Sequence, residues 1–167
     1  SSAGLASAQV TPVGPFTGPY TESFETQNPA CPPCFFTCVP GRIFNGTADV
    51  CDSSGGANMN VTSGWSFFCT IFPNSGGELC ASAGGPAKIT FDAPVTAFGG
   101  FFGTNSGTDG AVVTFYDAGN SVIGTQPLTT NGCTWTWNGW QSTTPIAAVL
   151  ITGNNPFGGG YIMMDDL

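Results

Sequence analysis

From Lys88 to Leu167 the chain is a succession of short apolar runs, rich in β-branched and aromatic residues, each closed by turn residues. Lys88-Ile89-Thr90-Phe91-Asp92, Ala111-Val112-Val113-Thr114-Phe115-Tyr116-Asp117 and Ala147-Ala148-Val149-Leu150-Ile151-Thr152 show the pattern most clearly. Residues of this kind fit a pleated, half-buried surface and disfavour helix. Strands are expected near 88–92, 96–103, 111–117, 121–128, 133–140, 146–152 and 160–167. Ala93-Pro94, Asp117-Ala118-Gly119-Asn120, Asn131-Gly132 and Thr143-Thr144-Pro145 serve as connections. Short strands at a regular spacing with turn chemistry between them are the signature of an all-β sandwich. In Asp117-Ala118-Gly119-Asn120, Gly119 or Asn120 is expected to take a positive φ and close a tight hairpin.

Charge narrows the partners. Only 7% of the 167 residues are charged, against about 25% in an ordinary globular protein. Arg42 and Lys88 are the only cations, and ten carboxylates give a net charge of −8. Binding nucleic acid needs several Lys or Arg to neutralise phosphates, and anionic membrane surfaces need the same. Neither partner is expected, and no apolar run is long enough for a spanning helix. Fourteen Phe, four Trp and three Tyr separate this low charge from disorder. The surface must then be built from Thr, Ser, Asn, Gln and Gly, which suits an extracellular setting or close packing against copies of itself.

Two regions precede the regular strands. Residues 1–20 are small, uncharged and punctuated by Pro12, Pro15 and Pro19, which reads as a flexible leader or as an extended N-terminal arm that pairs with the sheet edge of a neighbouring subunit. Val10, Val13 and Phe16 are its candidate docking residues. Residues 21–167 form one β-sandwich domain, with a first strand at Glu22-Ser23-Phe24-Glu25-Thr26 and a hydrophobic strand at Trp65–Phe72. Within it, residues 29–80 read as an inserted cysteine-rich loop region. The absence of a basic leader at Ser1 reads as a chain exported through a signal peptide since removed.

Several segments resemble a known group. Ile89-Thr90-Phe91-Asp92-Ala93-Pro94-Val95-Thr96-Ala97-Phe98-Gly99 resembles a strand pair of exported bacterial β-sandwich proteins, many of which carry PEP-CTERM sorting tails. Val113–Thr125 is similar to their central hairpin, and Pro145–Gly153 and Gly160–Leu167 to their last two strands. The opening Phe24-Glu25 is also similar. The resemblance covers about half the chain, omits the cysteine-rich region and supplies no catalytic residue. It implies a jelly-roll-like antiparallel β-sandwich at the cell surface or in an extracellular matrix. In such sandwiches a carboxylate on the first strand often meets one on the last. By that analogy Glu25 with Asp165 or Asp166 would hold a structural calcium ion through hard oxygen ligands. No cofactor is otherwise required.

The chain has no histidine, which removes Ser-His-Asp and Cys-His nucleophiles and the commonest metal ligand. The acids are scattered rather than paired for acid–base work, and no enzyme is expected. Cys31-Pro32-Pro33-Cys34 has CxxC spacing, but it lacks the helix N-terminus that lowers a redox thiol's pKa. Cys31, Cys34, Cys38 and Cys51 could form a four-thiolate zinc site. Structural disulfides among Cys31, Cys34, Cys38, Cys51, Cys69, Cys80 and Cys133 fit an exported protein better. Cys133, far from the others, is expected to staple the loop region to the sandwich. Seven cysteines leave one free or joined to another subunit.

Trp135, Trp137 and Trp140 lie close together with Thr and Asn between them. They read as core or interface residues, or else as a platform for stacking sugar rings. Asn45-Gly46-Thr47 and Asn60-Val61-Thr62 match the glycosylation sequon, with Asn45 and Asn60 as acceptors. Two functions are compatible with these features. The first is a non-enzymatic extracellular structural protein whose copies assemble into a filament, surface layer or matrix by N-terminal strand addition. The second is a calcium-dependent carbohydrate-binding or adhesion module, with extracellular polysaccharide as its partner.

Overall fold

The structure is a computed structural model, and it describes residues 9–27, 34–106, 110–154 and 159–167. The described elements are all strands: β1 (Val10–Pro12), β2 (Ala48–Asp52), β3 (Met59–Thr62), β4 (Trp65–Ser66), β5 (Thr70–Ile71), β6 (Leu79–Ser82), β7 (Ala87–Gly103), β8 (Ala111–Tyr116), β9 (Val122–Leu128), β10 (Thr136–Thr152) and β11 (Ile162–Asp165). Every paired strand is antiparallel. Hydrogen bonding runs β3-β6-β11-β7-β10-β8-β9, with β2 also on β7 and β1 also on β10; β4 and β5 form a separate hairpin. The all-β antiparallel class expected from the sequence is the class observed.

Two 17-residue strands make the sandwich. The first half of β7 lies between β2 and the second half of β10, and β8 and β9 extend that layer. The second half of β7 lies between β11 and the first half of β10. The crossing between layers falls where the β7–β10 register shifts, between Gln141 and Ala148. Strands that switch sheets through such irregularities are how sandwich corners are built. Ala93-Pro94 and Thr143-Thr144-Pro145, expected as chain reversals, are instead these bends inside continuous strands. Proline, which has no N–H to give a ladder, is tolerated at such irregular points.

The layers meet through aromatic side chains. Phe115 of β8 and Trp140 of β10 have ring centroids 5.4 Å apart, and Trp140 stacks on Phe98 of β7. Phe102, Val113, Ile89, Val149 and Ile151 are fully or almost fully buried around them. In β8, buried Ala111, Val113 and Phe115 alternate with Val112, which is exposed. Truncating a ring such as Phe115 to alanine removes about 3–5 kcal/mol.

Three expectations need correction. Residues 22–26 are a tight bend rather than a strand. Phe24 sits at φ 62° with its ring fully buried. The Glu22 carboxylate accepts the N–H groups of Phe24 (2.7 Å) and Phe44 (3.1 Å), which holds this unfavourable backbone in place. Glu22 and Leu167 exchange two backbone hydrogen bonds of 2.9 Å, so the first and last segments are still neighbours. Region 29–80 is not merely a loop insertion. It supplies β2 to β5 and the start of β6, and β2 pairs directly with β7. Trp65–Phe72 is split into the β4–β5 hairpin, with Phe67 and Phe68 at its tip. That hairpin lies on the outer face of the second layer, where Ile71, Leu79, Ala81 and Met163 form a small core against Trp65 and Trp135.

Candidate functional site

The arm docks on its own sandwich. β1 pairs with β10 in the register Val10↔Ser142, Thr11↔Gln141 and Pro12↔Trp140. The Thr143 N–H donates to the Gln9 carbonyl (3.0 Å), and the Val13 N–H donates to the Gly139 carbonyl (2.8 Å). Gln126 of β9 donates from Nε2 to the Val10 carbonyl at 3.0 Å. Val10 is the anchor, 1% exposed. It is seated over Gly124, where a Cβ would lie 2.8 Å from a Val10 methyl. Glycine at this position of β9 is therefore part of the socket. Of the three predicted docking residues, Val10 is buried, Val13 contributes its backbone, and Phe16 packs edge-on against Trp137 at 5.7 Å.

Beyond Pro12 the chain runs without regular structure through Gly14, Pro15, Gly18 and Pro19. Between this stretch and the bend of β7 lies a groove of about 630 Å³. Phe16, Tyr20, Phe91 and Trp137 line it, together with Thr17 and Thr96. The Trp137 indole lies over the cross-strand pair Gly99–Gly139; a Cβ on either glycine would come within 3.0 Å of it. Its N–H is buried and has no hydrogen-bond partner among the described residues. Asp92 and Asp166 reach the rim of the groove, and no Lys or Arg lines it. Arg42 bonds both oxygens of Asp92 and is also paired with Asp49.

The three tryptophans separate. Trp140 is 2% exposed in the main core, so it is not part of any surface platform. Trp135 is half-buried and donates its indole N–H to the Phe72 carbonyl (2.8 Å), anchoring the β4–β5 hairpin. Trp137 is half-buried between Phe16 and Phe101.

The acids proposed for calcium meet at one loop but not at one point. Glu25 Oε1 accepts the N–H groups of Gly77 (2.8 Å) and Glu78 (2.9 Å). Asp165 Oδ2 accepts those of Asn74 (2.7 Å) and Ser75 (3.3 Å), and Asp166 accepts from the Asn74 and Ser75 side chains. Both oxygens of Asp165 and of Asp166, and Oε1 of Glu25, accept hydrogen bonds, and among the described residues no three His, Cys, Asp or Glu side chains group as a metal site. In this structure Glu25, Asp165 and Asp166, the acids expected to hold calcium, together clamp the loop at residues 74–78. Asp165 is fully buried. Burial, and then the charge of Asp166, push its carboxyl up to about 6 against the pull of its three N–H donors.

Cys38–Cys51 and Cys69–Cys133 are disulfides, and the second is the predicted staple between loop region and sandwich. Cys34 is also disulfide-bonded; Cys31 lies outside the described residues. Cys80, at the centre of β6, is the free thiol among the described residues. It is fully buried, which raises its pKa and keeps it from neighbouring subunits. Asn45 is exposed at a turn, as a glycan acceptor must be, whereas Asn60 is half-buried on β3.

No family model matches the chain, and no curated protein matches its sequence. Among solved structures it is similar to the K2 cleaved adhesin domain of Lys-gingipain, at 16% identity over 88% of this chain and 94% of that one, with a TM-score of 0.57. It also matches a DUF4465 family protein from Bacteroides caccae ATCC 43185, at 12% identity over 75% and 81% of the two chains, with a TM-score of 0.46. At such identity the first likeness is one of fold: the chain has the β architecture seen in an adhesin domain. Its disulfides mark maturation in an oxidising compartment. Among the described residues no helix is long and apolar enough to cross a membrane.

Proposed function

We propose that this chain is a non-enzymatic extracellular structural protein, a self-assembling subunit of a filament, surface layer or matrix, whose copies are joined by exchange of the N-terminal arm. The observation that carries this reading is the arm socket. A three-residue strand is added to the edge of β10, anchored by one buried side chain and tethered by an irregular stretch rich in Gly and Pro. A strand held this way can occupy the equivalent socket of a neighbour with the same contacts, so exchange costs little enthalpy and gains a link between copies. The edges carry little charge to discourage this. β9, at the end of the main strand order, contains no charged residue and only Pro127 as a guard.

The carbohydrate-binding alternative has less support, because Trp140 is in the core and the Trp135 indole N–H is already bonded. The lack of histidine and the loop-clamp role of the clustered acids favour a non-catalytic role.

Deleting residues 1–13 tests the reading. Light scattering should show loss of polymers, leaving monomers with an open socket. A synthetic peptide of residues 5–17 should bind those monomers and raise their melting temperature without restoring polymers. Polymers of unchanged length in the deleted chain would overturn the proposal.

A further inference from the structure

Between the arm and the body of the chain, Gly14-Pro15-Phe16-Thr17 and Gly18-Pro19-Tyr20-Thr21 repeat the pattern Gly-Pro-aromatic-Thr. Both ends of this strap are fixed. Val13 is bonded to Gly139 of β10, and Glu22 to Leu167. Gly139 faces Gly99 of β7, and a Cβ on the next residue, Gly100, would lie 3.1 Å from the Leu167 Cα. Arm, β10, β7, the C-terminal segment and Glu22 thus follow one another across the second layer. The two ends of the strap are four strand spacings apart, roughly 19 Å. Among the described residues, 14–21 make no backbone hydrogen bond, and all but Gly18 are exposed. Pro15 and Pro19 hold φ in the extended range, where Pro-rich backbone rises about 3.1 Å per residue. The steps from Val13 to Glu22 then reach about 28 Å. The strap is longer than the crossing it makes.

We infer that residues 14–21 are a hinge that bows outward in the closed chain and straightens when the arm moves to a neighbouring copy. The groove is the trace of that bow. Its outer wall is residues 16–21, held away from Phe91, Thr96 and Trp137 by the surplus length. Phe16 opposes release. Its ring packs edge-on against Trp137 at 5.7 Å, on the face of the sheet that the strap crosses. A straight strap leaves the sheet at the edge of β10, so this contact belongs to the closed chain and latches it. The two prolines favour the straight form, and the Phe16–Trp137 pair favours the bowed one. The balance between them sets the concentration at which exchange begins. The inference rests on the arm-exchange reading and supplies the element that regulates it.

The test uses the full chain carrying T11C and T21C, both at exposed positions, labelled with nitroxides and diluted in unlabelled chain. Pulsed electron spin resonance then reads the span of a single strap. The spacing should be about 20 Å in monomers and lengthen to about 30 Å in polymers. Pro15→Ala with Pro19→Ala should raise the concentration at which assembly begins by roughly tenfold. Phe16→Ala, which changes a ring already 38% exposed, should lower it by roughly threefold or more. Polymers whose arms cross-link to neighbours through T11C and Q141C, yet whose strap spacing stays near 20 Å, overturn the hinge alone. Proline and phenylalanine variants that shift assembly in the same direction do the same. Polymers with neither the cross-link nor the longer spacing overturn arm exchange as well, and so does a wild-type chain that stays monomeric at every concentration.

Discussion

Asp165 shows how one residue ties a distant loop to the sheet. Its buried carboxylate holds the backbone of Asn74 and Ser75, and through them the loop that follows the aromatic hairpin. Because burial and Asp166 raise its pKa from 3.8 to about 6, the folded chain holds this proton more tightly than the unfolded chain does. The stability it contributes is therefore full below about pH 4 and lost as pH rises through 6. Glu78, raised by burial and by the charge of Glu25, acts in the same direction. Asp92, lowered by its hydrogen bond to Arg42, acts oppositely, but only as pH falls below its ordinary value of 3.8. The Asp165 effect is at most about 3 kcal/mol. The melting temperature should thus rise by several degrees between pH 7 and pH 5, measured by calorimetry. In D165N most of that slope should vanish; an unchanged slope would remove Asp165 as its source.

At the scale of elements, legibility depended on which signals are unique. The β8–β9 hairpin could be read because its turn is local. Asp117 accepts the N–H groups of Gly119 and Ser121, and Asn120 takes φ 61°. The prolines at 94 and 145 misled because the same residue marks a chain reversal and a sheet-switching bend. Strands β2, β3 and β6 are not legible because they are four or five residues long within a glycine-rich stretch, too short for a period to register. The Cys133 staple was anticipated because a lone distant cysteine has few uses. The groove was not, because it joins residues 16–21 to residues 91–99 and no local pattern links them. The Cys69–Cys133 bridge closes a loop of 64 residues. Replacing both cysteines by serine should cost about 4 kcal/mol and lower the melting temperature by about 10 °C. A shift of under 2 °C would show that packing alone fixes the hairpin.

At the scale of the molecule, scarcity of charge and the arm belong to one account. A sandwich closes its core by folding one hydrogen-bonded sheet at β7 and β10, but it keeps open edges. Most proteins guard such edges with charge, and this chain has two cations in 167 residues. The arm occupies the β10 edge, and its exchange between copies is the central claim. Thr11 and Gln141 are exposed and face each other across that edge, which allows a direct measurement. Chains bearing T11C are mixed with chains bearing Q141C, assembled and oxidised, and the products are separated without reduction. Arm exchange predicts disulfide-linked pairs, one copy of each kind. Polymers that form normally yet yield no T11C–Q141C link, while the same two substitutions in one chain do link, would contradict it.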